Sequence, residues 1–289
     1  MKSNAYQGLI MVTAWASETE SDYMADLDEC DTAGAVEVDV RQPYFPSTQD
    51  VSAARRPPPH FWGQFGFAYR IGIVVFLSTL AINVRSREFR RDHANIHDMH
   101  RTVMSAFPNI TESTPARQAH AVLWRLDSTN DGFVQYVQSR TEPDWGHLPA
   151  GHLTSPADVR PLRPMLEAVS PGRTLAFRIV ANPTWCEAKS RKRLVHREPE
   201  QQVEWLVRKG RQHGFVIPEG EAGPDVVPSA IPTLVGRKNA ATKITVEAVR
   251  FEGRLVVVDR EAFTEAVVGG IGRAKAYGCG LISVWGEVA

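Results

Sequence analysis

Cysteine is scarce in this chain. Only Cys30, Cys186 and Cys279 occur in 289 residues, with no CxxC spacing and one necessarily left over. Neither a disulfide framework nor a structural zinc site is suggested, and the cytoplasm is the natural compartment. Phosphate-loop fingerprints are also missing: the glycine-rich stretch Gly269 to Leu281 has no Gly-Lys-Ser/Thr at Walker spacing, and Lys275 stands where a dinucleotide loop would place its third glycine. Asp127-x-x-x-Asp131-Gly132 imitates the start of a calcium loop, but its twelfth position is Gln138 where a bidentate glutamate is required. The one long apolar run, Phe65 to Ile82, carries Arg70, Ser78, Thr79 and a β-branched series suited to a strand. No membrane association is expected from it, and it lies too far from Met1 to be a signal peptide.

What the chain does have is unevenly distributed. Formal charge is zero, with 33 Lys/Arg against 33 Asp/Glu, yet residues 1 to 73 hold five basic and ten acidic side chains, a net of −5 that leaves +5 for the rest. The leader shows weak periodicity, an acidic stretch from Glu18 to Asp31 and the cluster Arg56-Pro57-Pro58-Pro59. Such a segment buries too little apolar surface to offset its ordering entropy, so residues 1–73 are expected to form a poorly ordered extension.

Regular patterning begins at Val74. Val74 to Val84 reads as a buried strand, followed by the basic turn Arg85, Arg87, Arg90 and Arg91. Asp92 is placed to cap one helix running to about Phe107 and stopped by Pro108; Ile96, Met99, Val103 and Phe107 form its apolar stripe, with His93, His97 and His100 along the flank. Ala121 to Asp127 and Phe133 to Ser139 alternate on either side of Asp131-Gly132, a hairpin signal. A second series starts with the strand Thr174 to Trp185, followed by the basic run Lys189, Arg191, Lys192, Arg193, His196 and Arg197. Pro199 opens a helix ended by Gly214, and Gly236 to Asp259 reads as a basic loop with two strands turning at Glu252-Gly253. A helix from Arg260 to Val268, the glycine loop and a last strand close the chain. The order fits an α+β chain of two tandem ferredoxin-like (RRM-like) βαββαβ domains, 74–153 and 154–289.

Five glycines lie between Gly269 and Gly280, with Arg273 and Lys275 among them. Backbone with few side chains can approach an anion closely while cations supply charge, which makes the loop a phosphate-contacting candidate. A plain glycine turn before the last strand is the alternative.

Three motifs in order carry a more specific signal: Val75 to Pro108 (VFLSTLAINVRSREFRRDHANIHDMHRTVMSAFP), LAFRIVANPT with its basic run, and GIGRAKAYGCGL. Together they resemble the CasE family, the repeat-specific CRISPR endoribonucleases of type I-E systems and a subunit of the Cascade surveillance complex. The resemblance covers about residues 75–289. Members commonly begin at the strand matching Phe76 to Val84, so a natural start at Val74 or Val75 is expected, and N-terminal sequencing of the endogenous protein checks it. The resemblance implies two tandem ferredoxin-like domains and cofactor-free, metal-independent cleavage of precursor CRISPR RNA at the base of the repeat stem-loop. Attack by a 2′-hydroxyl then leaves a 2′,3′-cyclic phosphate and a 5′-hydroxyl. It also implies that the protein retains its product alongside other Cascade subunits.

Carried over residue by residue, the family's catalytic histidine, eight positions before the helix-ending proline, falls on His100. The assisting tyrosine, three residues earlier, falls on His97, which replaces a neutral hydroxyl by a group that titrates near ~6.5. A histidine pair sharing acid and base roles, or His97 orienting the phosphate, are both open. No cysteine or carboxylate at ligand spacing accompanies the three helix histidines, so no metal is assigned. Arg90, Arg91 and Arg101, the run Lys189, Arg191, Lys192 and Arg193, and Arg237, Lys238 and Lys243 are candidate contacts to an RNA stem, which offers chiefly phosphates and 2′-hydroxyls. Gly270, Gly272 and Lys275 are the candidate contacts of the glycine loop. A noncatalytic RNA-binding subunit using the same surfaces is the competing reading.

Overall fold

The computed structural model describes residues 74–110, 115–221 and 223–286; the leader expected to be poorly ordered, residues 1–73, lies outside them. The first half is built on an antiparallel sheet of β1 (Phe76–Ile82), β2 (Leu123–Thr129), β3 (Gly132–Ser139) and β4 (Asp158–Pro161), in the spatial order β2-β3-β1-β4. That is the ferredoxin-like order. β1 pairs with β3 from Phe76↔Ser139 to Ile82↔Phe133 and with β4 from Phe76↔Pro161 to Thr79↔Asp158. β4, which lies past residue 153, completes this sheet. The hairpin also turns one step earlier than expected, at Asn130-Asp131, since Thr129 pairs directly with Gly132.

Between β1 and β2 the chain makes two helices where one is predicted: α1 (Arg87–Ala94) and α2 (Ile96–Met104). Ser86 caps α1, its hydroxyl accepting from the Phe89 N–H. The break is Asn95, extended at φ −140° and ψ 101°, whose own N–H closes α1 on the Asp92 carbonyl while its side chain caps α2. Asp92, predicted as the cap, is instead buried and paired with Arg91 at 2.7 Å. The predicted stripe of Ile96, Met99, Val103 and Phe107 is buried, facing Leu80, Ile82 and Val137 of the sheet. The second helix of the ideal unit is replaced by a connection holding one 3₁₀ turn, Trp145–His147, pinned by a Trp145 indole donating to the Ser78 hydroxyl.

The second half is a complete βαββαβ unit with two hairpins inserted. After a short α3 (Ala116–Ala119) in the first half and α4 (Arg163–Ala168) at the junction, β5 (Thr174–Ala181) leads to the hairpin of β6 (Thr184–Cys186) and β7 (Arg193–Val195), then to α5 (Pro199–Gln212). Short pairings β8 (Phe215–Val216), β9 (Glu219–Gly220) and β10 (Gly223–Pro224) precede β11 (Val226–Ala230). The second inserted hairpin is β12 (Leu234–Arg237) with β13 (Lys243–Val246), followed by β14 (Val249–Val257), α6 (Arg260–Gly269) and β15 (Ile282–Trp285). The sheet order is β11-β14-β5-β15. Glu252-Gly253 is not a turn: β14 runs straight through it, pairing Gly253 with Phe177 on one side and Val226 on the other. The glycine is there because a Cβ would stand 2.2 Å from the Asp225 carbonyl oxygen, so the backbones approach too closely for any side chain.

The two halves share a seam. Val180, Ile244, Val246 and Cys279 from the second half pack into the same core as Phe89, Val103 and Trp124 from the first. Arg125 of β2 is 1% exposed and binds Asp127 through two N–H groups at 2.7 and 2.9 Å, while its remaining nitrogen donates to the Leu281 carbonyl at 3.2 Å. Arg178 of β5 adds a third bond to Asp127 at 3.0 Å and reaches on to Glu252. Burial pushes the Asp127 carboxyl up, but Arg125 and then Arg178 outweigh it and hold it below the usual range. Arg125→Met strips a buried carboxylate of its bidentate partner, a change that costs about 3 kcal/mol; equilibrium urea unfolding at pH 7 will show the lowered midpoint.

Candidate functional site

The site grows from α2. Asn95 sets where the helix starts, and from that start His97 and His100 fall on one flank with ring centroids 6.4 Å apart. His93 is separated from them by the helix break and packs its ring against Phe89 and Phe133. On its other side His100 meets the edge of Tyr277, with centroids 6.3 Å apart and planes at 75°. Tyr277 belongs to the 3₁₀ turn Lys275–Tyr277 of the glycine loop, so the loop supplies a wall of the site.

The glycines explain how the loop gets there. Gly278 has φ +81°, a left-handed conformation, and an added Cβ would meet the Trp124 ring at 3.1 Å. The Trp124 indole donates to the Ala276 carbonyl at 3.1 Å, which clasps the loop onto β2. Gly270 and Gly272 likewise have positive φ and leave room for Leu123 and Trp205 respectively. Lys275, expected to face phosphate, is buried with its ammonium donating to the Gly269 carbonyl at 2.9 Å. Gly270 and Lys275 are thus buried in the packing of the loop, while Gly272 is half-buried. Burying a lysine requires a partner, and here the partner is the loop's own backbone.

His100 keeps part of its surface, yet its Nδ1 is buried with no hydrogen-bond partner among the described residues. Burial, then the positive charges of Arg117, His97 and Lys238, push its pKa down from 6.5 to about 3. The imidazole is thus neutral at physiological pH, able to take a proton, and ringed by cations able to hold an anion. Arg117, on α3, was missed in the sequence because it stands alone between loops; no run or spacing marks it. Lys238, at the exposed turn between β12 and β13, is the predicted basic residue that does reach the site electrostatically.

The other predicted cations are exposed but differently placed. Arg237 packs beside Asn95 through its backbone N–H, at 3.0 Å from Oδ1, and its guanidinium donates to the Ala240 carbonyl. Lys243 pairs across from Arg237 on β13. Arg101 lies on α2 itself, 3.6 Å from Asp98. Arg90 and Arg91 are on α1, the latter paired with Asp92. Lys189, Arg191, Lys192 and Arg193 sit on the β6–β7 hairpin, and none is among the charges acting on His100. That hairpin also exposes Trp185, stacked loosely on His196 with centroids 6.4 Å apart.

Fold and site together define a tandem ferredoxin-like protein with one neutral, cation-ringed histidine at the seam of its halves. The chain belongs to the CRISPR associated protein family, whose model matches residues 75–285. It is 38% identical over 217 residues to the CRISPR-associated endoribonuclease Cse3 of Thermus thermophilus, covering 73% of this chain and 99% of that one. It is 30% identical over 189 residues to the CRISPR system Cascade subunit CasE of Escherichia coli, covering 58% and 90%. A solved structure of Thermus thermophilus Cse3, bound to an RNA representing a pre-cleavage complex, superposes with a TM-score of 0.62 at 36% identity, covering 73% and 98%. Among the described residues no helix is long and apolar enough to cross a membrane, and Phe76 to Ile82 of the apolar run form β1.

The depressed histidines leave a signature in stability. His213 is also pushed down, to about 4, by burial and then by Lys209 and Lys275. Above pH 6.5 neither state binds a proton at these sites; below it the unfolded chain does while the folded one does not until pH approaches 3 to 4. Stability therefore falls as pH drops from 6.5 towards 4. Urea midpoints measured across that window will fall less steeply for His100→Gln and for His213→Gln than for the parent.

Proposed function

We propose that the protein is an endoribonuclease of CRISPR RNA maturation that cuts precursor RNA at the base of the repeat stem-loop. The observation that carries this reading is the neutral His100 imidazole set among Arg117, His97 and Lys238. His100 takes the proton of the 2′-hydroxyl at the cleaved position as the new 2′-O–P bond forms. The P–O5′ bond breaks, the departing 5′-oxygen is protonated, and a 2′,3′-cyclic phosphate and a 5′-hydroxyl result. The charge that builds on the phosphate oxygens in this step is what Arg117 and Lys238 are placed to offset. An incoming phosphate also raises the histidine's proton affinity, because it cancels the cations that depress it.

His97, its ring centroid 6.4 Å from that of His100, stands where relatives of the family carry a tyrosine. We assign it to orienting the phosphate or returning the proton, a division that single substitutions separate. The exposed cations of β12–β13 and of β6–β7 are the proposed RNA-stem contacts, and Trp185 beside the latter offers a flat apolar surface to a base or sugar. Retention of the product beside other Cascade subunits is proposed from the likeness to a protein named as such a subunit. The cytoplasm, where the thiols stay reduced, is the proposed compartment.

Incubation of the purified protein with repeat RNA in EDTA, followed by end-group analysis, tests the assignment. Cleavage leaving a cyclic phosphate is expected, and His100→Ala should bind the same RNA while its rate falls by ~100-fold or more. Unchanged cutting by that variant would remove His100 from the chemistry. Binding with no cutting by the parent would favour the noncatalytic subunit.

A further inference from the structure

The β12–β13 hairpin lies against the start of the histidine helix, and Asn95 bridges the two. Asn95 Oδ1 accepts two backbone N–H groups, from His97 at 3.3 Å and from Arg237 at 3.0 Å. The first is the N-cap of α2, and the second comes from a strand inserted in the other half of the molecule. Asn95 Nδ2 in turn donates to Asp98 at 2.8 Å, so the carboxamide is fixed at both ends and cannot flip without losing its bonds.

The contact is built for this geometry. A Cβ at Gly236 would stand 2.5 Å from Asn95 Oδ1 and 3.1 Å from the Ile96 side chain, so only glycine lets the strand come near enough for the next residue to donate. Behind it, Ile244 and Val246 of β13 are buried in the core shared with Met99 and Val103 of α2. At the hairpin's turn, Asn239 accepts from the Ala241 and Thr242 N–H groups at 3.0 and 2.7 Å and keeps the turn in shape. Lys238, at that turn, is close enough to act on His100. The hairpin that carries Arg237, Lys238 and Lys243 is thus joined through Asn95 to the helix that carries His97 and His100.

We propose that Asn95 is a positioning residue that transmits seating of the β12–β13 hairpin on RNA to the alignment of His97 and His100. The proposal rests on the catalytic reading of His100. An RNA that draws the hairpin cations onto its phosphates pulls on Arg237, and the Arg237 N–H holds the start of α2, from which both histidines take their rotational setting. Loss of the link leaves the hairpin able to bind and the helix able to form, but not in register with each other. Displacements of about 1 Å in a reacting group can cost ~100-fold in rate.

Asn95→Ser keeps a helix-capping oxygen but is too short to span to Arg237; the Asn95→Asp variant, here and below made together with Asp98→Asn so that two carboxylates do not meet at the 2.8 Å contact, keeps the acceptor for both N–H groups. Single-turnover cutting at saturating RNA is expected to fall ~10- to ~100-fold in Asn95→Ser. Affinity for RNA bearing a 2′-deoxy sugar at the cut site should stay within about threefold, since the phosphate contacts remain. Asn95→Asp should recover most of the rate. Amide exchange at Arg237 should quicken in Asn95→Ser without a change in the urea midpoint beyond that of a lost single bond. Gly236→Ala should reproduce the rate loss, and the double variant should be no worse than either single one. A parental rate in Asn95→Ser, with His100→Ala inactive, overturns the coupling and leaves the nuclease standing. Equal losses of rate and affinity, with no rescue by Asn95→Asp, also overturn it, because they mark a merely structural residue. Parental cutting by His100→Ala would instead overturn the catalytic reading and this one with it.

Discussion

The structure depends on a buried charge pair that cannot be left half made. Arg125 and Asp127 lie two apart on β2, on one face of the strand, and both are almost fully withdrawn from water. Each would be costly alone, and together they are satisfied only when the second half supplies Arg178 and the carbonyl of Leu281. Trp124, the residue before Arg125 and so on the opposite face, needs the Ala276 carbonyl for its indole N–H. One strand thus makes demands on both its faces, and the second half meets both. The seam is specified by hydrogen-bond geometry as well as by apolar contact.

That seam decides the chemistry. Once the glycine loop is clasped to Trp124, Tyr277 stands against His100; once the β12–β13 hairpin reaches Asn95, Lys238 stands near it too. Neither half alone would enclose the imidazole. The low proton affinity of His100 draws on burial, on Arg117 and His97 of the first half and on Lys238 of the second, and the glycines matter because they let the chain pass close to the side chains of Trp124, Trp205 and Asn95. A loop rich in glycine and carrying a lysine looks like an anion cradle, but this one spends its lysine on its own carbonyl.

The parts legible in the sequence are those whose cause is local. The stripe Ile96, Met99, Val103 and Phe107 follows from helical period alone, and the two sheets follow from the order of strands, helices and turns. His100 is the position to which the resemblance to the CasE family points, eight residues before Pro108. What stayed hidden depends on residues far apart in the chain. Asp92 and Asn95 are both acceptable caps, and only the burial of one and the bond of the other to Arg237 separate them. Glu252-Gly253 has the composition of a turn, whereas its glycine answers to Asp225 on a neighbouring strand. Arg117 reaches the site from the short α3 with no motif of its own, and Tyr277, although inside the glycine-loop motif, has nothing in its spacing that ties it to His100. β4 is weakly marked in the sequence because its four residues, largely exposed at the sheet edge, have no hydrophobic alternation.

The central claim is that meeting of the two halves keeps His100 neutral and ready to accept a proton. Direct titration of its imidazole by NMR in protein labelled at the histidine ring, with and without RNA carrying a 2′-deoxy sugar at the cut site, tests this most closely. The account predicts a resonance that stays neutral until pH nears about 3 in the free protein and moves upward when RNA is bound. An imidazole titrating at its ordinary value of 6.5 in the free protein, unmoved by RNA, would contradict it.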